Sequence, residues 1–454
     1  MNSPLALLGR MVARRKAYAV DDFSLVRVTQ EERHSTRDIS LVRMGFTTTA
    51  SDLFFGYTLS LFLSFWYALA VALIASAVIS TNSILMGLIG TRERTSFALT
   101  TRFAFGRAGS RLPSLIIAIS STAFFGYIIG ITVDVLPHDN PIVAAVECAA
   151  LGVLYVLLTL LGFGRGLRRV NMVGVPIMIV LVLVADIVVL VRIGGFGPIL
   201  DAVPSSAGAR TVPVLIGLGI AKWMTGSSIA PDSLRFAKKY STALVSTIAE
   251  FVGANFGFDL MGIILGLGLG SSDLGHAFGL VGLAWLAALA FIIQGFTIQT
   301  HNLYNVGLDI SNVLRFSRTG ATLIAGIVGT ALGYYALNTG IVDSFLNFLG
   351  LVGYAIPAIP GVIICDYYLV RRMRYRGDID DLEKVRWLGV LSYCTAVAIS
   401  IYLGINGDVL WRSTPLIGFG VALVLFSPLI IRSWTHRSDP AAAVSPQPTA
   451  PEAE

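Results

Sequence analysis

The chain alternates long apolar runs with short polar segments, and the apolar runs are long enough to cross a bilayer. Spanning the hydrocarbon core takes about 20 predominantly apolar residues in a helix. The sequence therefore predicts about twelve transmembrane spans, numbered 1 to 12 in chain order. Their approximate bounds are residues 40–62, 64–89, 114–136, 141–162, 171–193, 211–235, 242–269, 278–305, 319–338, 341–369, 386–404 and 413–432. We expect a cytoplasmic segment at 1–38, a twelve-helix membrane domain at 39–433, and a disordered Pro/Ala-rich cytoplasmic tail at 434–454.

Two spans carry polar residues where a membrane helix is usually apolar. Span 1 contains the run Thr47-Thr48-Thr49-Ala50-Ser51-Asp52, and span 6 contains Lys222, a Thr-Gly-Ser-Ser run and Pro231. Broken helices at membrane depth are tolerated where the freed backbone lines a cavity, and many transporters bind solute there. The two spans lie five apart, and an odd offset reverses the direction through the membrane. We therefore predict an inverted repeat of spans 1–5 and 6–10, with spans 1 and 6 broken.

Composition and charge place the chain in a membrane. Of its 454 residues, 55% are hydrophobic and 13% are charged, against roughly 25% charged in soluble domains. The fold class is thus an all-α polytopic membrane protein. Lys and Arg number 29 on one predicted side, counting the N-terminal residues up to Arg43, and 3 on the other. The excess of positive charge predicts a cell-membrane protein with both termini cytoplasmic, so the net charge of +6 does not indicate nucleic-acid binding.

Asp52 and Lys222 are charged residues near the middle of predicted spans. A lysine at the bilayer centre costs at least ~2.5–3.5 kcal/mol on insertion scales, so such residues usually face a bundle interior or a wet cavity. If spans 1 and 6 face each other, the two side chains can pair, and we interpret them as candidate coupling residues. A structural ion pair, a carboxylate reaching a watery vestibule, and direct contact with a polar solute remain alternatives.

Other residues near the breaks have the chemistry of a pocket for a flat solute. Trp223 can stack on a heterocycle, and Phe124 with Phe125 can supply an opposite wall, although membrane aromatics often only pack. Span 8 carries a polar stripe at three-and-four spacing, which lines a cavity or joins helices: Gln294, Thr297, His301 and Asn305.

Three segments resemble the nucleobase:cation symporter-1 family, in particular its cytosine-permease and purine-permease branch. They are RFAFGRAGSRLP at 102–113, Pro231-Asp232 followed by Arg235-Phe236, and IPAIPGVIICDYYLVRR at 356–372. The resemblance runs from about residue 40 to 432. It implies a leucine-transporter-like fold with ten core helices and two peripheral ones, and with solute held between spans 1, 3, 6 and 8.

The resemblance also implies roles for individual residues. Aromatic residues from spans 3 and 6 would sandwich the heterocycle, with polar contacts from spans 6 and 8 and from the backbone of span 1. Carried onto this chain, these positions are Phe124, Trp223, Thr225, Gln299, Thr49 and Ala50. The sodium-binding variety of the family would use the backbone carbonyls of Gly45 and Thr48 in span 1 and oxygens of Gln294 and Thr297 in span 8. Here Ile298 stands where that site has a second hydroxyl, and this removes an oxygen ligand from a hard cation that needs several.

We predict a secondary active symporter that imports a nucleobase such as cytosine or a purine, or a related flat heterocycle, by alternating access. The co-transported cation is H⁺ or Na⁺, and the altered sodium positions together with Asp52 and Lys222 favour H⁺. The cation of Lys222 also leaves open the alternative that the substrate is an anion. The alternative is an amino-acid-like solute on the same fold. An enzyme is not expected, because the chain has no HExxH, GxSxG or Walker motif. The specific solute and the oligomeric state stay open.

Overall fold

The structure is a computed structural model that describes residues 27–136, 140–161, 164–271, 274–314, 317–375, 381–406 and 415–435. Most of the predicted N-terminal segment and nearly all of the predicted tail lie outside these ranges. The regular secondary structure of the described residues is helical. Among them, nine helical segments are long and apolar enough to cross a membrane, so the chain is a multi-pass membrane protein. The count of twelve spans stays a prediction, because spans 1, 8 and 12 are not among those nine.

The helices follow the predicted spans in order. Their bounds are Thr36–Thr47 and Ala50–Phe62 for span 1, Phe65–Glu93 for span 2, Arg111–Asp134 for span 3, Pro141–Leu160 for span 4, Gly164–Ile193 for span 5, Val212–Ser228 and Ala230–Leu234 for span 6, Tyr240–Leu269 for span 7, Ala284–Leu314 for span 8, Arg318–Thr339 for span 9, Ile341–Val370 for span 10, Trp387–Asn406 for span 11 and Pro415–Thr435 for span 12. Short helices at Phe97–Phe105, Gly197–Asp201 and Leu274–Leu280 connect some of them.

Spans 1 and 6 are both interrupted. Span 1 breaks at Thr48 and Thr49, and the Thr49 hydroxyl caps the second half by accepting the backbone N–H of Asp52 at 3.3 Å. Span 6 breaks at Ile229, two residues before Pro231. Lys222 therefore lies in intact helix about two turns before the break. The hydroxyls between them do not open the helix, since Ser228 Oγ donates to the Met224 carbonyl at 2.7 Å.

Two spans differ from their prediction. Span 10 is also interrupted, between Ile341–Ala355 and Ala358–Ile364, because Pro357 and Pro360 lack backbone N–H donors. Span 8 begins and ends later than predicted, at Ala284 and Leu314. Its predicted start fell in an apolar stretch that contains a turn, where Gly282 has φ +77°.

Span 7 packs against the second half of span 1 backbone to backbone. A Cβ added to Gly56 would lie 2.0 Å from the Asp259 carbonyl oxygen, and one added to Gly262 would lie 2.2 Å from the Leu53 carbonyl oxygen. Only glycine permits such close approach. Span 7 also contains a π-helical segment, Ile248–Asn255. This packing brings Asp259 of span 7 close to Asp52, which lies one turn before Gly56.

Candidate functional site

Lys222 lies between two carboxylates in the interior of the bundle. Its Nζ donates to Asp259 Oδ1 at 2.6 Å and lies 3.0 Å from Asp52 Oδ1. All three side chains are almost completely buried. The structure thus brings together Asp52 and Lys222, as the sequence analysis considered, and adds Asp259, which that analysis missed. Asp259 carried the same signal as Asp52, a carboxylate inside an apolar span.

Asp52 is held by further donors. Trp223 Nε1 donates to Asp52 Oδ1 at 2.7 Å, and Thr49 Oγ1 donates to Asp52 Oδ2 at 2.9 Å. On the lysine side, Nζ lies 4.8 Å from the centre of the Phe55 ring. We call Lys222, Asp52, Asp259 and Trp223 the Lys222 cluster. Since its ammonium already faces two carboxylates, the cluster does not offer an unpaired cation to an anionic solute.

A cavity of about 480 Å³ begins at the Lys222 cluster and extends toward His34, Asp38 and Phe236. His34 and Asp38 lie at the beginning of span 1, and Phe236 lies just after the end of span 6. Trp223, Thr225 and Gly226 line it from span 6, and Ser121, Phe124 and Ile128 line it from span 3. Ligand pockets of this kind combine apolar and aromatic walls with a few polar groups.

Three of the predicted solute contacts line this cavity: Phe124, Trp223 and Thr225. Each is held by a neighbour. Phe124 packs edge-on against Phe348 with ring centres 4.9 Å apart, and Trp223 packs against Phe251 at 5.9 Å. The Thr225 and Ser120 hydroxyls lie 2.9 Å apart. The two aromatic rings are therefore fixed in place on the cavity wall.

The structure does not bring the other three predicted contacts to the cavity. Gln299 is fully buried and its Nε2 donates to the Phe125 carbonyl at 2.8 Å, so it ties span 8 to span 3. Thr49 and Ala50 are buried beside the cavity, where Ser51 is the lining residue. Span 8 lines the cavity instead with Ile298, His301, Asn302 and Asn305. His301 stacks on Phe46 with ring centres 4.3 Å apart.

The predicted sodium-site residues lie together at the break in span 1. Gln294 Nε2 donates to the Gly45 carbonyl at 3.2 Å. The Thr48 hydroxyl donates to the carbonyl of Met44 at 3.2 Å, and Thr297 is fully buried. The adjacent Ile298 contributes an apolar side chain. A hard cation needs several oxygen ligands. Here the Gly45 carbonyl, one of the expected ligands, faces the amide N–H of Gln294 instead.

A second buried ion pair joins the first half of span 1 to span 7. Arg43 bonds Glu250, and it donates to Ser233 Oγ at 2.7 Å and Ser83 Oγ at 2.8 Å. We call these four residues the Arg43 cluster. The topology count placed Arg43 among the cytoplasmic charges. Arg43 is buried within the bundle and so is not a loop charge; without it the predicted asymmetry is 28 to 3.

The chain is similar in sequence to known permeases. Residues 27–417 match the family model for permeases of cytosine/purines, uracil, thiamine and allantoin. The cytosine permease of Escherichia coli strain K12 is 25% identical over 420 residues, covering 91% of this chain and 96% of the permease.

The fold is similar to that of Mhp1 in an inward-facing conformation. The TM-score is 0.76 at 16% identity, covering 93% of this chain and 95% of Mhp1. Mhp1 in a closed conformation with bromovinylhydantoin bound gives 0.71, also at 16% identity, covering 92% and 96%. A Na⁺-coupled sialic acid symporter gives 0.63 at 14% identity, covering 86% and 89%. These likenesses confirm the leucine-transporter-like fold.

Proposed function

The chain belongs to the family of permeases for cytosine/purines, uracil, thiamine and allantoin, and from that premise we propose that it imports a nucleobase or a closely related planar heterocycle. Membership makes it a cation-coupled membrane transporter that works by alternating access, and not an enzyme. The observation that carries the proposal is the cavity, which has Trp223 and Phe124 on its wall and begins at the Lys222 cluster.

The cavity has the features that a planar ring requires. The aromatic walls give a stacking surface, and base–aromatic stacking contributes about 1–3 kcal/mol per base in proteins that bind single-stranded nucleic acid. Thr225 of span 6 and Asn302 of span 8 also line the cavity and supply a hydroxyl and an amide for a ring's hydrogen-bonding edge. The hydantoin-bound structure of Mhp1 supports a ring-shaped solute on this fold.

We propose that the proton is the coupling ion and that the Lys222 cluster carries it. One ammonium faces two carboxylates in a buried place, which leaves one negative charge in excess. An uncompensated buried charge is costly, so uptake of one proton by a carboxylate neutralises the cluster. Because Lys222 and Trp223 both line the cavity and Trp223 bonds Asp52, solute binding and protonation are adjacent events.

The predicted topology supports an assignment of the side to which the cavity opens. The cavity opens toward the chain end where His34 and Asp38 lie, and the positive-charge asymmetry assigns that side to the cytoplasm. We therefore propose that the structure represents an inward-open state. An accessibility assay tests this: a cysteine in place of Asp38 in a variant that lacks native cysteines is expected to react with an impermeant thiol reagent only from the cytoplasmic side.

Proteoliposomes test the function directly. A panel of cytosine, uracil, adenine, guanine, hydantoin and several amino acids is screened for stabilisation of the purified protein, and the strongest binder is then assayed for uptake. Uptake is compared under an imposed pH gradient and under an imposed sodium gradient at constant membrane potential. We expect a nucleobase to bind and the pH gradient to drive its accumulation.

The solute and the coupling ion can be disproved separately. Binding of amino acids but of no nucleobase would overturn the solute assignment. Accumulation driven by sodium but not by the pH gradient would overturn the coupling assignment and leave the solute assignment standing.

A further inference from the structure

The first half of span 1 ends inside the membrane, where its last carbonyls need partners from elsewhere. The final carbonyl groups of any helix lack intrahelical donors, and no water is present in the hydrocarbon core to replace them. At this end Gln294 of span 8 directs its amide nitrogen at the Gly45 carbonyl, with Nε2 and the oxygen 3.2 Å apart. The Gln294 side chain is 3% exposed, so this contact is sheltered from water.

A monovalent cation at this position would also satisfy the last carbonyls of the first half of span 1. It would bind the exposed carbonyls of span 1 and oxygens of span 8, and so join the two helices for as long as it stays bound. The chain offers poor ligands for that: the Gly45 carbonyl already accepts the Gln294 amide N–H, and the neighbouring Ile298 has no oxygen in its side chain.

We propose that the carboxamide of Gln294 takes the place of a coupling sodium ion at the break in span 1. Its N–H carries partial positive charge to the Gly45 carbonyl, and its covalent attachment to span 8 makes the link permanent. Transport then requires no sodium, and the contact between spans 1 and 8 does not depend on ion concentration.

The orientation of the amide separates this proposal from sodium binding. With the nitrogen toward Gly45, the contact is an ordinary hydrogen bond. With the amide reversed, two oxygens would face each other 3.2 Å apart, an arrangement that repels unless a cation lies between them. The two orientations therefore predict opposite responses to sodium.

The purified full-length protein tests the proposal without any substrate. Its thermal unfolding is followed in sodium chloride and in choline chloride at equal ionic strength. We expect the two unfolding temperatures to be equal for the wild type. A saturable, sodium-specific rise would overturn the proposal, because it would show that Gln294 ligates sodium through its oxygen.

The substitution Gln294→Glu turns the donor into an acceptor of the same size. We expect this variant to gain a saturable stabilisation by sodium that potassium and choline do not reproduce. Gln299→Glu is the matched control, since Gln299 is a buried amide of the same span that bonds a carbonyl within the continuous part of span 3. An equal sodium response in the control would overturn the assignment to the break in span 1.

A third variant covers the case in which Gln294→Glu does not fold. Gln294→Met removes the donor at similar length, and we expect a lower unfolding temperature in both salts. An unchanged unfolding temperature would overturn the proposal, since the bond would then hold nothing together. The unfolding measurements use no solute. They therefore test the role of Gln294 even if no nucleobase binds to the protein.

Discussion

The Lys222 cluster and the Arg43 cluster are two buried charged groups that link the same spans in different ways. Both connect spans 1, 6 and 7, and both line the cavity. The Lys222 cluster involves the second half of span 1 and sets one cation against two carboxylates. The Arg43 cluster involves the first half and sets one cation against one carboxylate, with two serine hydroxyls as further hydrogen-bond acceptors.

The difference shows which cluster is suited to exchange a proton. Arginine stays charged at any physiological pH and distributes its charge over a planar fork of five donors. With one carboxylate and two serines around it, Arg43 is charge-balanced, which suits a fixed contact between helices. Lysine is a compact charge that can titrate when buried, and its cluster has a carboxylate in excess. We therefore propose the Lys222 cluster as the site of proton exchange, and the Arg43 cluster as a fixed contact between spans 1, 2, 6 and 7.

The largest effect is expected from removing the cation of the unbalanced cluster. Lys222→Met leaves two buried carboxylates without their cation, and breaking a buried pair in this way costs about 3–5 kcal/mol. We expect transport to be lost and the unfolding temperature to fall. The control combines Lys222→Met with Asp52→Asn and Asp259→Asn, which removes the charge excess. It should regain stability without regaining transport. Normal uptake by Lys222→Met alone would remove the cluster from the mechanism.

Exchanging the two cations tests the comparison itself. Lys222→Arg keeps the charge but puts a larger, planar guanidinium between Asp52 and Asp259, so we expect their geometry to change and concentrative uptake to be lost. Arg43→Lys cannot reach Glu250, Ser83 and Ser233 at once, and uptake should fall about tenfold, equivalent to about 1.4 kcal/mol. The pH profile of its remaining uptake should match the wild type. A changed profile in Arg43→Lys would show that the two clusters are coupled.

A smaller effect is expected from removing the excess carboxylate. Asp259→Asn leaves Lys222 paired with Asp52 alone and removes the group that would exchange a proton. We expect pH-driven accumulation to be lost while exchange of labelled for unlabelled solute continues. Asp186→Asn is the matched control, because Asp186 is a buried carboxylate of span 5 that is 5% exposed. Accumulation that survives in Asp259→Asn would place the proton elsewhere.

The smallest effect separates the ring of Trp223 from its N–H. Trp223→Phe keeps an aromatic surface but loses the donor to Asp52, so we expect a KM within a few-fold of the wild type and a shifted pH profile. Trp223→Ala also loses the stacking surface, and its KM should rise roughly tenfold if stacking contributes the usual 1–3 kcal/mol. Equal KM values for both variants would show that the indole does not stack on the solute.

The sequence identifies the fold and part of the site for physical reasons. Charges inside apolar spans are costly, so Asp52 and Lys222 are conspicuous, and the same criterion would have found Asp259 and Glu250. The pairing of Asp259 with Lys222 could not be read from the sequence. It depends on the close approach of spans 1 and 7 at Gly56, which no local pattern reveals.

Helix rotation and helix breaks are harder to predict. The polar stripe of span 8 was visible, yet Gln299 is buried against span 3 while Asn302 lines the cavity. Each residue turns a helix by about 100°, so the choice between them depends on the packing of the whole bundle. The break in span 6 falls at Ile229, directly after the hydroxyl run where it was expected, whereas the break in span 10 between Ala355 and Ala358 was not predicted.

The π-helical segment of span 7 decides which way two functional carboxylates point. Glu250 and Asp259 are nine residues apart, and in an uninterrupted α-helix, at about 100° per residue, they would face opposite sides. The wider turns of Ile248–Asn255 change this phase, so one helix presents both carboxylates to spans 1 and 6. The π-helical segment thus sets the rotation of one half of span 7 relative to the other. Deleting a single residue from the segment would restore the regular α-helical winding and turn either Glu250 or Asp259 away from its cation.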